Sequence, residues 1–143
     1  MATLVKSIVI EVPAEKIFSY LMDPMNMLEF WPNMLEIKDV KKLPNGGTSF
    51  KFVYKLAGIR LEAFSEDIEY IPNRRTVSKV SGGIEGKTTF TYEPAGQGTK
   101  VTLGEEYDIP IPVIGKLAEA VIVKMNEHEV ETVLANLKAR IEG

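Results

Sequence analysis

The sequence predicts an α+β fold: a curved antiparallel sheet of six to seven strands wrapped around a long C-terminal helix, with two short helices after strand 1. Three observations predict it. Hydrophobic residues from about Met34 to Tyr107 recur with a period of two, between turn signals. After Pro112 the period changes to 3.6 and holds from about residue 114 to 141. Between the first strand and the rest, Pro13 and Asp23-Pro24 punctuate a short helical interval. At 143 residues with no linker or repeat, 1–143 reads as a single domain with room for a sizeable core.

Each element has a local cause. "TLVKSIVIEV" alternates and is a strand, ended by Pro13, which stands at a first-turn position of a helix carrying Ile17, Phe18 and Leu21. Asp23 is placed to cap a second short helix, which Pro32 ends. "MLEIKDVKKL" is a strand stopped by the hairpin turn "PNGG". "TSFKFVYKLAG" puts Phe50, Phe52, Tyr54 and Leu56 on one face, with Lys51 and Lys55 opposite. In "IRLEAFSEDIEYI" the alternation slips near Ser65, which predicts a bulge or bend there. Which face of strands 59–71 and 76–82 points inward stays open. "PNRR" and "AGQG" supply the remaining turns.

Bulk properties exclude several function classes. A net charge of −3 lacks the basic footprint of a nucleic-acid binder. There is no cysteine, hence no disulfide, thiolate metal site or thiol chemistry. Neither a signal-peptide pattern nor a transmembrane-length apolar run is present, so a soluble, cytoplasmic protein is expected. The sole histidine, His128, lies about 120° from the centre of the C-terminal helix stripe, beside Glu127, Glu129 and Glu131. It reads as solvated, so neither a zinc site nor a Ser-His-Asp triad is expected, and no metal or cofactor is assigned. "GGIEGKT" lacks the spacing and following helix of a phosphate loop. Arg74-Arg75 reads as a solvated turn, and Lys41 and Lys42 as edge-strand charges.

Two carboxylates break the apolar patterns. On the C-terminal helix Ala118, Ile122, Met125, Val133 and Leu137 share one face, and Asn126 and Glu129 fall inside it. A charge there is costly unless paired or wet. Glu129 either sits at the stripe edge, pairs with a lysine, or looks with Asn126 into a partly hydrated pocket. On the last strand Val101, Leu103, Glu105 and Tyr107 share a face. If that face is inward, Glu105 points in too, and a close carboxylate pair raises one pKa; a one-residue slip puts Glu105 in solvent instead. A curved sheet closed by one helix often leaves an unfilled interior. An apolar cavity of roughly 300–1,000 Å³ is therefore expected, lined from Phe52, Tyr54, Phe90, Leu103, Ile122, Met125 and Val133.

Several motifs resemble those of a known family. "IEVPAEKIFSYLMDP", "FWPNM", "GQGTKVTLGEEYDIP" and "LANLKARIE" are similar to the opening, the Trp-Pro step, the last strand and the final helix of the polyketide cyclase/dehydrase and lipid-transport family. This family lies within the START-like, Bet v 1-like (SRPBCC) superfamily. The resemblance covers essentially the whole chain and implies the helix-grip fold. It also implies an apolar cavity between sheet and C-terminal helix, with the two short helices closing one end. Met25, Met27, Phe30, Trp31 and Met34 would then line or lid the mouth. No family-wide catalytic motif exists to carry over.

The functions implied are three. One is a carrier or sensor of a small hydrophobic, lipid-like or polycyclic molecule. The second is a cyclase or dehydratase acting on a polyketide-like substrate, with Glu105 or Glu129 as base and Tyr107 or Tyr54 as proton donor. The third is a protein- or membrane-interaction module using the Met-rich rim.

Overall fold

The structure, a computed structural model, describes residues 2–56, 58–108 and 119–143. Strand β1 (Ala2–Ile10) is followed by helix α1 (Ala14–Leu21), a 3-10 turn (Pro24–Asn26) and helix α2 (Met27–Phe30). Strands β2 (Met34–Lys42), β3 (Thr48–Leu56), β4 (Ile59–Ile71), β5 (Arg75–Gly82), β6 (Glu85–Ala95) and β7 (Gly98–Asp108) form a meander. Helix α3 (Glu119–Glu142) ends the chain. Residues 114–118 of the expected helix, with Ala118, lie outside the described residues.

All seven strands form one antiparallel sheet in the order β1-β7-β6-β5-β4-β3-β2. Only β1 is out of sequence: it pairs with β7, with Ile8 opposite Val101. Pro13 takes the N-cap position of α1, with an extended backbone. Asp23 caps the 3-10 turn by accepting the Met25 N–H at 3.0 Å. The irregularity of β4 falls between Asp67 and Glu69, a little beyond Ser65. It has a consequence: Leu61, Ala63 and Ser65 are buried before it, while beyond it the inward position passes to Tyr70, which packs on Phe18. A second shift interrupts β2 between Lys38 and Lys41, where Asp39 adopts φ 55°. A two-for-one step of this kind bends a strand and increases twist.

The main core lies between the short helices, β1, β6, β7 and the lower half of α3. It contains Ile10, Ile17, Phe18, Phe30, Trp31, Phe90, Tyr92, Val101, Leu103, Val130, Val133, Leu134 and Leu137. The buried stripe of α3 runs Ile122, Asn126, Glu129, Val130, Val133, Leu134, Leu137 and Ile141. Met125 lies about 110° from the middle of that stripe and is 52% exposed, which corrects its expected place in the cavity wall. Lys6 of β1 ties the opposite flank of α3, at 3.1 Å from Glu127 and 3.2 Å from Glu131. Among the described residues no helix is long and apolar enough to cross a membrane.

Gly86 sets the spacing of β6 and β7 beside Tyr107. A Cβ on it would stand 2.1 Å from the Glu106 carbonyl oxygen and 2.9 Å from the Tyr107 Cα. Backbone cannot swing aside like a side chain, so Gly86→Ala is expected to destabilise the protein by about 1–3 kcal/mol, as overpacking does. A urea titration measures this; an unchanged midpoint would mean that the strands separate at no cost.

Candidate functional site

Between the sheet and the short helices lies a cavity of about 130 Å³. This is well below the several hundred cubic ångströms expected from the curved-sheet shape. The reason is visible in its lining: the aromatic rings of Phe50, Phe52, Tyr54, Phe90 and Tyr92 all turn inward and occupy much of the space. Met27, Trp31 and Met34 also line the cavity, together with Phe18, Leu21 and Pro24.

The Met-rich segment therefore divides. Met27 and Met34 are half-buried at the cavity, Trp31 lines it with its ring buried, and Phe30 belongs to the packed core behind. Met25 is 43% exposed and is not part of the wall, a correction to its expected role. In the turn Pro24–Asn26, it is Pro24 that takes the inward position. Two side-chain amides fasten the segment: Asn26 donates to the Tyr20 carbonyl at 2.7 Å, and Asn136 of α3 donates to the Phe30 carbonyl at 3.1 Å.

The other expected wall residues sit in different places. Phe52, Tyr54 and Phe90 line the cavity; Leu103 and Val133 are fully buried in the core beside it. Ile122 packs instead with Leu56, Leu61 and Tyr107 in a small cluster at the N-terminal end of α3. The wall also includes Phe18 and Phe50, which lie on apolar faces legible in the sequence but not assigned there to the cavity, and Ser65, Asp67, Tyr70 and Tyr92, which periodicity alone did not single out. Ser65 and Asp67 continue the inward alternation of Leu61 and Ala63, and Tyr70 joins them because of the bulge in β4. Asp67 is held by the Thr48 N–H at 2.8 Å and the Ser78 hydroxyl at 2.7 Å.

The polar end of the cavity is built from β3, β7 and α3. Glu129 itself does not line the cavity, a correction to its expected place; buried behind Trp31 and Tyr54, it accepts from Trp31 Nε1 at 2.9 Å, from Tyr54 Oη at 2.6 Å, and from Asn33 Nδ2. Among the described residues it pairs with no lysine. Burial raises its pKa, and the Tyr54, Trp31 and Asn33 hydrogen bonds oppose the rise. Burial likewise raises the Tyr54 hydroxyl, and the charges of Glu129 and Glu105 raise it further. Asn33 had no signal in the sequence: a polar residue after Trp-Pro reads as a turn, and its partner lies 96 positions away.

Glu105 does point inward. Its pKa is pushed up to about 7, first by burial and then by the Glu129 charge, with the Asn126 amide opposing. Its Oε1 is buried without a hydrogen-bond partner among the described residues, and so are the Tyr107 hydroxyl and Asn126 Nδ2. The Asn126 amide thus approaches the carboxyl without completing a well-formed bond. Glu105, Tyr107 and Asn126 all line the cavity. Among the described residues no group of three or more His, Asp or Glu is placed to hold a metal ion.

The comparisons agree with this architecture. No curated protein matches the chain. A protein of Thermus thermophilus superposes with a TM-score of 0.85 at 21% identity, covering 98% of this chain and 97% of its own. The Zhui aromatase/cyclase of Streptomyces sp. R1128 gives 0.79 at 11% identity, covering 99% and 93%. A START superfamily protein of Mycobacterium smegmatis gives 0.73 at 17% identity, covering 98% and 97%. At these identities the likeness is one of fold. The family model described as polyketide cyclase / dehydrase and lipid transport matches residues 1–142. With that match across a seven-stranded helix-grip fold, the chain belongs to the polyketide cyclase/dehydrase and lipid transport family.

Proposed function

We propose that the protein binds a small, largely apolar molecule in this cavity, as a carrier or sensor. One observation carries the reading: an aromatic-lined cavity ends in three buried polar atoms, on Glu105, Tyr107 and Asn126, that have no hydrogen-bond partner among the described residues. Buried polar groups are almost always satisfied, and exceptions point to a function. A ligand with an apolar body and one polar end would satisfy both parts of the site. Entry of larger molecules is set by Met27 and Met34, whose unbranched side chains repack readily. An environment-sensitive apolar dye is expected to bind and to be displaced by polycyclic or lipid-like competitors. Ser65→Leu, which fills the cavity from the middle of β4, is expected to weaken dye binding about tenfold or more. Absence of dye binding, or equal binding by Ser65→Leu, overturns the reading.

A second reading rests on a different property of the same residues. A carboxyl with a pKa near neutrality beside two phenols is suited to acid–base work. In that case Glu105 would serve as base and Tyr107 or Tyr54 as proton donor, in a cyclisation or dehydration of a polyketide-like substrate. Glu105→Gln would then retain binding of a β-hydroxyketone probe and lose its dehydration. Binding without turnover in the unaltered protein favours the carrier.

A further inference from the structure

The three unpartnered atoms specify more than a polar end. Resting on the binding reading above, we infer that the ligand presents a neutral hydroxyl, alcohol or phenol, to Glu105, Tyr107 and Asn126.

A hydrogen-bond inventory carries the inference. Glu105 Oε1 accepts, Asn126 Nδ2 donates, and the Tyr107 hydroxyl does either. A hydroxyl has one donor and two acceptor lone pairs, so a single oxygen complements all three atoms. A carboxylate head offers acceptors only. It would leave Glu105 Oε1 unmatched and would sit beside two acidic side chains, Glu105 and Glu129. An ammonium head offers donors only and would leave Asn126 Nδ2 without an acceptor. Glu129 does not compete for the ligand, because its oxygens are already engaged by Trp31, Tyr54 and Asn33. It stands behind the lining, holding Trp31 and Tyr54 in place. The free carboxyl is the one on β7.

Among the described residues no cation offsets the pair. Lys87 on the paired strand and Glu106 next along the chain also contribute to the lining, but they lie opposite each other with side-chain parity opposite to that of Glu105, and both are exposed. Anionic amphiphiles, fatty acids included, are therefore rejected by the end of the cavity that neutral alcohols occupy.

The test uses four compounds sharing one fused-ring body: naphthalene, 2-naphthol, 2-naphthoate and 2-naphthylmethylamine, each titrated against the full chain at pH 8 by dye displacement. 2-Naphthol is expected to bind about tenfold tighter than naphthalene, the worth of one good hydrogen bond to a charged group. It is also expected to bind tighter than the amine and the carboxylate. Glu105→Leu removes the acceptor and should erase the naphthol advantage. Glu105→Gln keeps an acceptor oxygen but removes the charge, so it should keep that advantage while admitting 2-naphthoate. Tyr107→Phe, which deletes only a hydroxyl, should reduce the naphthol advantage in part and serves if Glu105→Leu does not fold. Naphthalene and 2-naphthol binding equally would overturn the hydroxyl inference and leave the binding reading standing. Tighter binding of the amine or the carboxylate would overturn it too. Failure of the dye and all four compounds to bind would remove both.

Discussion

Glu129→Ala is expected to destabilise the protein by about 2–3 kcal/mol, because it strands buried donors whose acceptor it removes. The carboxylate joins α3 to the Trp31 indole after α2, to Asn33 in the following turn and to Tyr54 on β3. Trp31 is buried and its Nε1 donates to Glu129. Asn33 is only half-buried, so water reaches it more readily than the indole, and most of the cost falls on Trp31 and Tyr54. Glu129→Gln keeps one acceptor oxygen but turns an amide N–H toward the same donors, so its cost is expected to be intermediate. Urea unfolding measures both variants. The fluorescence of Trp31, the only tryptophan, reports the loss of its hydrogen bond directly. A change below about 1 kcal/mol, the worth of an exposed ion pair, together with an unshifted emission maximum, would mean that the clamp does not hold the short helices to the sheet.

Much of this fold is legible because periodicity survives folding. Along β7, Val101, Leu103, Glu105 and Tyr107 share one face whatever the neighbouring strands do, and the alternation fixes Glu105 inward as soon as Leu103 is. Pro13 and Asp23 end and start helices through their own geometry, so they too are local facts. The stripe of α3 is less sharply defined. Two apolar residues, Val121 and Met125, flank it and are exposed. Hydrophobicity alone assigns Met125 to the core, whereas the centre of the buried stripe passes through Asn126 and Leu137.

What stays hidden in the sequence is whatever depends on contacts between distant residues. The bulge at Asp67–Glu69 decides that Asp67 and Tyr70 both reach the cavity. Composition places the slip only approximately. The volume of the cavity depends on aromatic rotamers, which no pattern of spacing encodes, and the pattern therefore overestimates it. Glu129 shows the limit most clearly. Its place in an apolar stripe marks it as unusual, but the three donors that satisfy it come from positions 75 to 98 residues away. The stripe alone does not separate a structural clamp from a ligand-binding group. Glu105, with an equally anomalous position, finds no such donors for its Oε1 among the described residues.

Glu105→Gln is expected to stabilise the protein at pH 8 by about 3 kcal/mol, from the size of the pKa shift, and to change it little at pH 4. The folded protein holds the Glu105 proton to about pH 7, against an ordinary value of 4.5. Below 4.5 both folded and unfolded chains carry the proton, and the residue costs nothing through ionisation. Between 4.5 and 7 the unfolded chain releases it while the folded chain retains it. The folded state then binds more protons, so stability falls as pH rises. Above 7 both states are ionised and the full cost persists, on the order of 3 kcal/mol at about 1.4 kcal/mol for each pKa unit. Glutamine has no proton to lose, so its curve lacks this descent. Glu129 is shifted in the same direction and remains in both proteins, so it contributes a descent common to the two. The repulsion between the two carboxylates is already contained in the Glu105 shift, so it adds nothing further to the gap at high pH. Urea titrations of both proteins from pH 4 to 8 give the difference directly. Parallel curves would show that Glu105 is solvated and has no raised pKa. Divergence in the expected sense would establish that the protein keeps, at the end of its cavity, a carboxyl that weakens the fold under the conditions in which it would meet a ligand. A hydroxyl donating to Glu105 would recover part of that loss on binding, so the stabilisation by 2-naphthol should be larger at pH 8 than at pH 5.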